Sequence, residues 1–313
     1  MPEPLICVAG PTGCGKTALG VLLARRFGGE VVSADSMQIY RGMSIGSAAP
    51  TPEEMRGVPH HMLAVADPSE AWSVARYVQA AAPVVDDILA RGKRPFVVGG
   101  TGLWMEALLR QSGFAPGQSG GDVRRALESE LLRDGIEPLL RELRAADPAA
   151  AARIHPSDKK RVLRALEVYR ETGRTITAHN AATQALPPRY RALWLGLRYH
   201  DREEMKAALD RRVDRMMADG LLEEVRALAA RVPPDATALQ AIGYKELLPV
   251  LDGRVTLQEG IAEVKLRTRQ YAKRQLTWFR RNPEMYWLER RDGQDFSEIG
   301  RLSTNYLLSH GVC

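Results

Sequence analysis

An α/β protein is what this sequence predicts: a parallel-sheet core carrying a phosphate-holding loop, with an all-helical domain inserted into it. Three observations predict it. The glycine-rich stretch GPTGCGKT, Gly10 to Thr17, lies between an apolar run, LICVA, and a helical pattern, ALGVLLARRF. Over the first ~110 residues short apolar runs alternate with helix-period segments, as a parallel sheet with covering helices requires. Strand character then disappears, and it returns only at RALWLGLR.

Taken in order, LICVA is strand one, and EVVSA, Glu30 to Ala34, is strand two. A third strand is expected near HHMLAV, and PFVVGG, Pro95 to Gly100, closes the series. Thr51, Pro52 and Glu54 have the spacing of a capping box with proline at the first helical position. A longer helix runs from Ser73 to Arg91, bent at Pro83. QSGFAPGQSGGD, Gln111 to Asp122, has the composition of a linker. Helices follow: one from Asp122, one capped by Asp147 with Pro148, and one from Ser157 to Glu171, up to LPPRY, Leu186 to Tyr190. The expected division is therefore a core half at 1–114, an insertion at 115–188 and a second core half at 189–313. In that second half Asp201 with Glu204, and Thr256 with Glu259, again have capping-box spacing. ALDRRVDRMMADGLLEEV, Ala208 to Val225, reads as amphipathic helix, and MYWLE as the strand that finishes the sheet.

Composition bounds the function. The 313 residues are 45% hydrophobic and 26% charged, enough for a sizeable core. No apolar run approaches the ~20 residues of a membrane span, and the chain enters strand one too early for a signal peptide, so a cytoplasmic protein is expected. The three cysteines, Cys7, Cys14 and Cys313, have no metal-binding spacing and are expected to be reduced. A net charge of +6 raises the odds of a nucleic-acid partner.

The loop residues Gly10, Pro11, Thr12, Gly13, Cys14 and Gly15 can bend around an anion with their amides inward, while Lys16 adds a charge and Thr17 a hydroxyl for Mg2+. The helix that follows aims its positive end at the same point. Asp35 ends strand two, where open α/β sheets place ligand-contacting groups. A motor or switch ATPase would carry its acid on a later strand, but RPFVVGGTGLW has none. A small transferase whose aspartate takes a proton from an acceptor fits better; an outer Mg2+ ligand or a helix cap is the alternative for Asp35. Gly99 and Gly100 permit close backbone approach, and Thr101 is both a helix N-cap candidate and a donor pointing into the cleft. Of Arg211, Arg212 and Arg215, one reaching a diphosphate is plausible geometry for a planar guanidinium. From Lys265 to Arg281 there are seven cations and no acid, with Tyr271, Trp278 and Phe279 interleaved. That suits phosphate tracking with base stacking, or else a solvated face with its aromatics in the core. A second basic cluster, Asp158 to Arg174, lies in the insertion, and two such surfaces suggest a large polyanion.

In GPTGCGKT, SADSMQIYRGMSIGSAAP, VGGTGLW, ARIHPSDKKRVLRALEVYRETG, QAIGYKEL and RQYAKRQLTWFR, the chain resembles the bacterial tRNA dimethylallyltransferases over nearly its whole length. The resemblance implies transfer of a dimethylallyl group from dimethylallyl diphosphate to the exocyclic amine of the adenosine 3′ of the anticodon, with Mg2+. It implies catalytic roles for Asp35, Thr101 and Lys16, and diphosphate binding by Gly10 to Thr17 and Arg212. It implies tRNA contacts at Asp35, Ser36, Met37, Gln38, Thr101 and Arg124, and in the insertion at Lys160, Arg161, Val162, Leu163 and Arg164. Further contacts are implied at Gln240, Ala241, Ile242, Gly243, Tyr244 and Lys245, and at Lys273, Arg274, Gln275, Trp278 and Arg280. Cys14 replaces the family's usual alanine or serine, and Ala208 stands where arginine is common. A monomer is expected. The competing readings are an adenylate isopentenyltransferase, which would not need the basic helices, and a P-loop small-molecule kinase, which would consume ATP.

Overall fold

The computed structural model describes residues 3–110, 121–293 and 296–313. The chain divides into two units, Met1–Leu109 with Tyr190–Cys313, and Arg110–Arg189.

In the first unit, β1 (Leu5–Ala9) leads into α1 (Lys16–Arg26), then β2 (Gly29–Ser33), the short helices α2 (Ser44–Ser47) and α3 (Pro52–Met55), and β3 (His60–His61). After α4 (Val74–Ala90) come β4 (Arg94–Gly99) and α5 (Gly102–Leu109). The second unit holds α6 (Asp122–Asp134), α7 (Glu137–Ala146), α8 (Pro148–Arg153), α9 (Lys159–Thr172) and α10 (Ile176–Ala185). The chain re-enters the first unit with β5 (Ala192–Tyr199), α11 (Arg202–Ala218), α12 (Leu221–Ala229), α13 (Leu248–Leu251), α14 (Leu257–Phe279), β6 (Met285–Arg290) and α15 (Phe296–Ser309).

All strand pairs are parallel, in the order β3-β2-β4-β1-β5-β6. β1 is central, with Cys7 opposite Val97 on one side and Trp194 on the other. Every residue of β1 is fully buried, which is why it reads as an unbroken apolar run rather than an alternating one. Buried side chains fill both faces of the sheet, Tyr77 and Met105 on one and Leu19 and Leu209 on the other.

Capping fixes the helix starts. Thr51 and Thr256 form complete capping boxes with Glu54 and Glu259, Ser73 caps α4 through the Arg76 amide, and Asp147 caps α8 through the Ala150 amide. Asp201 caps α11 by accepting from the Glu203 and Glu204 amides. Pro83 lies inside α4.

Several expectations need correction. β2 is shifted one residue toward the N-terminus, and the third strand shrinks to His60–His61 because it pairs only with β2 at the sheet edge. The helix expected from Ala208 to Val225 is two helices, since Gly220 takes a left-handed φ of 100° and starts α12. In the insertion, α7 and α10 accompany the three expected helices, and α15 follows β6. Residues 111–120 of the linker reading lie outside the described residues. No described helix is long and apolar enough to cross a membrane.

The insertion has its own core, around Leu127, Leu139, Leu143, Val162 and Leu166. Arg170 of α9 ties it together, donating to Glu142 of α7 at 2.8 Å and to Glu130 of α6 at 2.7 Å.

In the first unit, Glu30 of β2 is 2% exposed and accepts from Arg91 at 2.6 Å and Lys93 at 2.8 Å, with the His61 ring at 2.7 Å. The Arg91 hydrogen bonds, against the opposing effect of burial, hold its carboxyl far below the ordinary value of 4.5. A carboxyl lowered in the folded state stabilises fully above its unfolded value and loses that contribution as pH falls below it. Glu30→Gln is therefore expected to cost about 1–3 kcal/mol near neutral pH. In urea titrations the gap between parent and variant should narrow below pH 4.5.

Candidate active site

The loop after β1 curls because Gly10, Gly13 and Gly15 adopt φ of 146°, 77° and 94°. Only glycine fits at Gly10, where a Cβ would stand 2.2 Å from the Leu197 carbonyl oxygen. No hydrogen bond among the described residues uses the backbone amides of Gly13 to Thr17. Five free N–H groups at the start of α1 make an anion cradle. The Lys16 ammonium lies inside it, donating to the Pro11 carbonyl at 2.7 Å. Burial lowers the Lys16 pKa from its ordinary value, and the nearby Asp35 charge opposes that.

Asp35 lies two residues past the end of β2. Its Oδ1 accepts from the Met37 amide at 2.9 Å and more weakly from Gln38 at 3.4 Å, and these hold the turn. No hydrogen bond among the described residues uses Oδ2. Among the described residues, no amide of α5 donates to the hydroxyl of Thr101, which follows β4. Its hydroxyl accepts from the Ser36 amide at 3.1 Å, and its own amide donates to the Ala34 carbonyl. Thr101 thus braces the backbone on both sides of Asp35.

Loop and aspartate open on one cavity of about 560 Å³. Ser36, Met37 and Gln38 line it, as do Gln240, Ala241, Ile242 and Gly243. Of Arg211, Arg212 and Arg215 on α11, Arg212 lines the cavity, while Arg211 pairs with Asp292. Burial pulls the Arg212 guanidinium below its ordinary range against the Asp35 charge. Lys16, Arg212 and Arg274 thus place three cations around a space lined by two carboxylates, Asp35 and the Glu54 held in the Thr51 capping box.

The basic helix α14 divides by face. Lys265, Arg267 and Arg269 are paired with Asp214, Glu263 and Asp210. Lys273, Arg280 and Arg281 have no acidic partner among the described residues, and Arg274 lies over the Tyr271 ring at 5.7 Å. The aromatics are not a stacking ladder: Phe279 is in the core, Trp278 donates to Glu106 at 2.9 Å, and Tyr271 lines the cavity. Burial, reinforced by Asp35, pushes the Tyr271 phenol up to about 12, so it stays protonated.

Other residues read as tRNA contacts are placed differently. Tyr244 is fully buried and donates to Glu224, which also accepts from the Ile45 and Gly46 amides. Val162 and Leu163 are core residues of the insertion, so their side chains offer no surface to RNA. Arg124 and Arg164 pair with Glu128 and Glu167; Lys160, Arg161 and Lys245 are exposed. Gln275 is buried, with its amide committed at both ends. Sequence reasoning read Gln275 as a tRNA contact and Tyr271 as a stacking aromatic; that Gln275 instead braces the loop after β1 was hidden, because contacts across 263 and 175 positions leave no local signal.

Thr17 and Asp35 supply hard oxygens to the cavity, and no group of three or more His, Cys, Asp or Glu side chains among the described residues could hold a metal by itself. That donor set fits Mg2+, which keeps several waters and binds through one or two protein oxygens plus substrate phosphates.

Cradle, aspartate and cations on one parallel sheet define a P-loop protein that handles a phosphorylated substrate and lacks an acid on β4. A family model described as IPP transferase matches residues 38–282, and one described as isopentenyl transferase matches residues 4–66. The tRNA dimethylallyltransferase of Symbiobacterium thermophilum is 46% identical over 289 residues, 92% of this chain and 90% of that protein. Tested against solved structures, the full-length tRNA isopentenylpyrophosphate transferase from Bacillus halodurans matches with a TM-score of 0.73 at 41% identity, over 98% of this chain and 96% of that one. A eukaryotic dimethylallyltransferase solved acting on tRNA gives 0.84 at 32% identity, over 98% of this chain and 79% of the other. The chain belongs to the tRNA dimethylallyltransferase (IPP transferase) family.

Proposed function

We propose that this enzyme transfers the dimethylallyl group of dimethylallyl diphosphate to N6 of the adenosine immediately 3′ of the anticodon in tRNA, releasing diphosphate. The observation that carries this is a single cavity holding both a diphosphate-sized cradle and Asp35 at the end of β2.

The donor's diphosphate occupies the cradle, against the amides of Gly13 to Thr17, Lys16 and Arg212. As the allylic carbon–oxygen bond breaks, charge accumulates on the leaving diphosphate, where these groups already point. Mg2+, held by Thr17 and the diphosphate oxygens, supplies further charge neutralisation when bound. The adenine amine is a weak nucleophile because its lone pair is shared with the ring. Asp35 Oδ2 takes its proton as the nitrogen attacks the allylic carbon. Thr101 holds Asp35 in place by bracing Ala34 and Ser36, and protonated Tyr271 and the apolar lining help keep water from the carbocation-like centre. Extruding the target base from the anticodon stack costs a few kcal/mol, and the cations of α14 and the insertion provide the phosphate contacts that offset it.

The test is to incubate the protein with Mg2+, unmodified tRNA and dimethylallyl diphosphate, then digest the RNA and weigh the nucleosides. An adenosine heavier by one isopentenyl group is expected. Unmodified tRNA beside modified AMP, or consumption of ATP, would instead support the adenylate transferase or the kinase.

Lys273 and Arg274 allow a separate check of the RNA surface. Replacing both with alanine should make the slope of log affinity for tRNA against log salt shallower by about 1.5. An unaltered slope would show that this face does not meet phosphate.

A further inference from the structure

The phosphate loop is gripped from outside as well as opened inward. Four consecutive loop residues each give a backbone atom to a side chain. Pro11 O accepts from Lys16, Thr12 N donates to Gln275 Oε1 at 2.8 Å, Gly13 O accepts from the Tyr199 hydroxyl at 3.3 Å, and Cys14 O accepts from Arg290 Nη1 at 3.2 Å. Gln275, Tyr199 and Arg290 come from three separate elements, α14, β5 and β6.

The geometry of a trans peptide gives these contacts a direction. The C=O and N–H of one peptide unit point to opposite sides, and no cis bond occurs among the described residues. With Gly13 O turned to Tyr199, the Cys14 N–H faces the other way; with Cys14 O turned to Arg290, so does the Gly15 N–H. On the Pro11–Thr12 unit Gln275 takes the N–H and Lys16 the C=O, so the glutamine fixes the carbonyl on which the Lys16 ammonium rests. A flip of the Gly13–Cys14 or Cys14–Gly15 unit would turn a carbonyl toward the donor's diphosphate, and a flip of Pro11–Thr12 would take away the carbonyl on which Lys16 rests.

The two end anchors are themselves built in. Gln275 is 5% exposed, and its Nε2 donates to the Gly100 carbonyl at 2.9 Å. A Cβ at Gly100 would come within 2.2 Å of that nitrogen. The Arg290 guanidinium is flanked by the Tyr199 and Phe296 rings at 5.0 and 5.2 Å from their centroids. A Cβ at Gly15 would be 2.4 Å from Phe296 Cζ and 2.9 Å from Arg290 Nη1. Arg290 does not line the cavity, so its charge acts on the cradle from behind.

We propose that Gln275, Tyr199 and Arg290 are positioning residues that lock the phosphate loop before the donor arrives, Tyr199 and Arg290 by keeping the Cys14 and Gly15 amides inward and Gln275 by keeping the Pro11 carbonyl under Lys16. The inference rests on the reading of the loop as the diphosphate site.

Inorganic pyrophosphate is the probe, titrated calorimetrically with Mg2+ into the wild type and into Tyr199→Phe, Gln275→Met, Arg290→Met and Arg290→Lys. Donor KM, kcat and tRNA affinity are measured alongside. Failure of the wild type to bind pyrophosphate would overturn the diphosphate reading itself. With wild-type binding established, Arg290→Met and Gln275→Met should weaken pyrophosphate about tenfold and raise donor KM in parallel, with tRNA affinity unchanged. Tyr199→Phe, which removes one oxygen, should show the same pattern about threefold, and Arg290→Lys should recover part of the loss. Pyrophosphate affinity unchanged in Tyr199→Phe and Arg290→Lys, or lost in equal proportion with tRNA affinity, would overturn the positioning role even if the methionine variants fail to fold.

Discussion

Asp35→Ala is expected to lower turnover in prenyl transfer by about 10² to 10⁴, with tRNA affinity nearly unchanged. The size follows from the job: without a base, the amine must expel its proton to water from a cavity that excludes it. Asp35→Asn isolates the charge, because an amide oxygen can still accept from the Met37 and Gln38 amides that bond to Oδ1. Donor KM should not rise in either variant. The Asp35 charge partly offsets those of Lys16 and Arg212, so its removal leaves the cradle more positive. Single-turnover kinetics with saturating tRNA would separate this loss from a binding defect. Equal turnover in variant and parent would end the assignment of Asp35 as base.

Lys16→Ala should be of comparable size but different in kind, losing about 10² to 10³ in kcat and also raising donor KM. The ammonium attracts the diphosphate already in the ground state, and more strongly once the allylic bond has loosened and charge gathers on the leaving oxygens. Its rest on the Pro11 carbonyl keeps it at the loop without a carboxylate partner. Steady-state kinetics over a range of donor concentrations would show both effects. Unchanged kinetics would mean that the loop does not hold the leaving group.

Much of this site was legible in the chain because its parts are local. The five buried residues of β1, the glycine spacing after them and the aspartate just past β2 are each set by short stretches of sequence, and each signals its conformation through nearest neighbours. Helix starts were readable for the same reason, at Thr51, Ser73, Asp147 and Thr256. What escaped was set by tertiary contact. The apolar period runs on through MMADGLLEEV, so only the backbone of Gly220 reveals the break. Thr101 looked like a helix cap, yet its hydroxyl turned to Ser36 across 65 positions. The aromatics of α14 carry the composition of an RNA-stacking surface, but burial assigned Phe279 to the core and Tyr271 to the cavity.

The core's own chain is nearly continuous where the insertion leaves it. Tyr190 N donates to Leu109 O at 3.2 Å, and just beyond, Arg110 and Pro188 form an isolated antiparallel bridge. In the language of loop closure, residues 110–189 are a side excursion whose two ends are already pinned together. Doubling the length of such an excursion adds only about 0.6 kcal/mol of entropy. The helical insertion can therefore be lengthened, shortened or redecorated while strand register and the loop after β1 stay as they are.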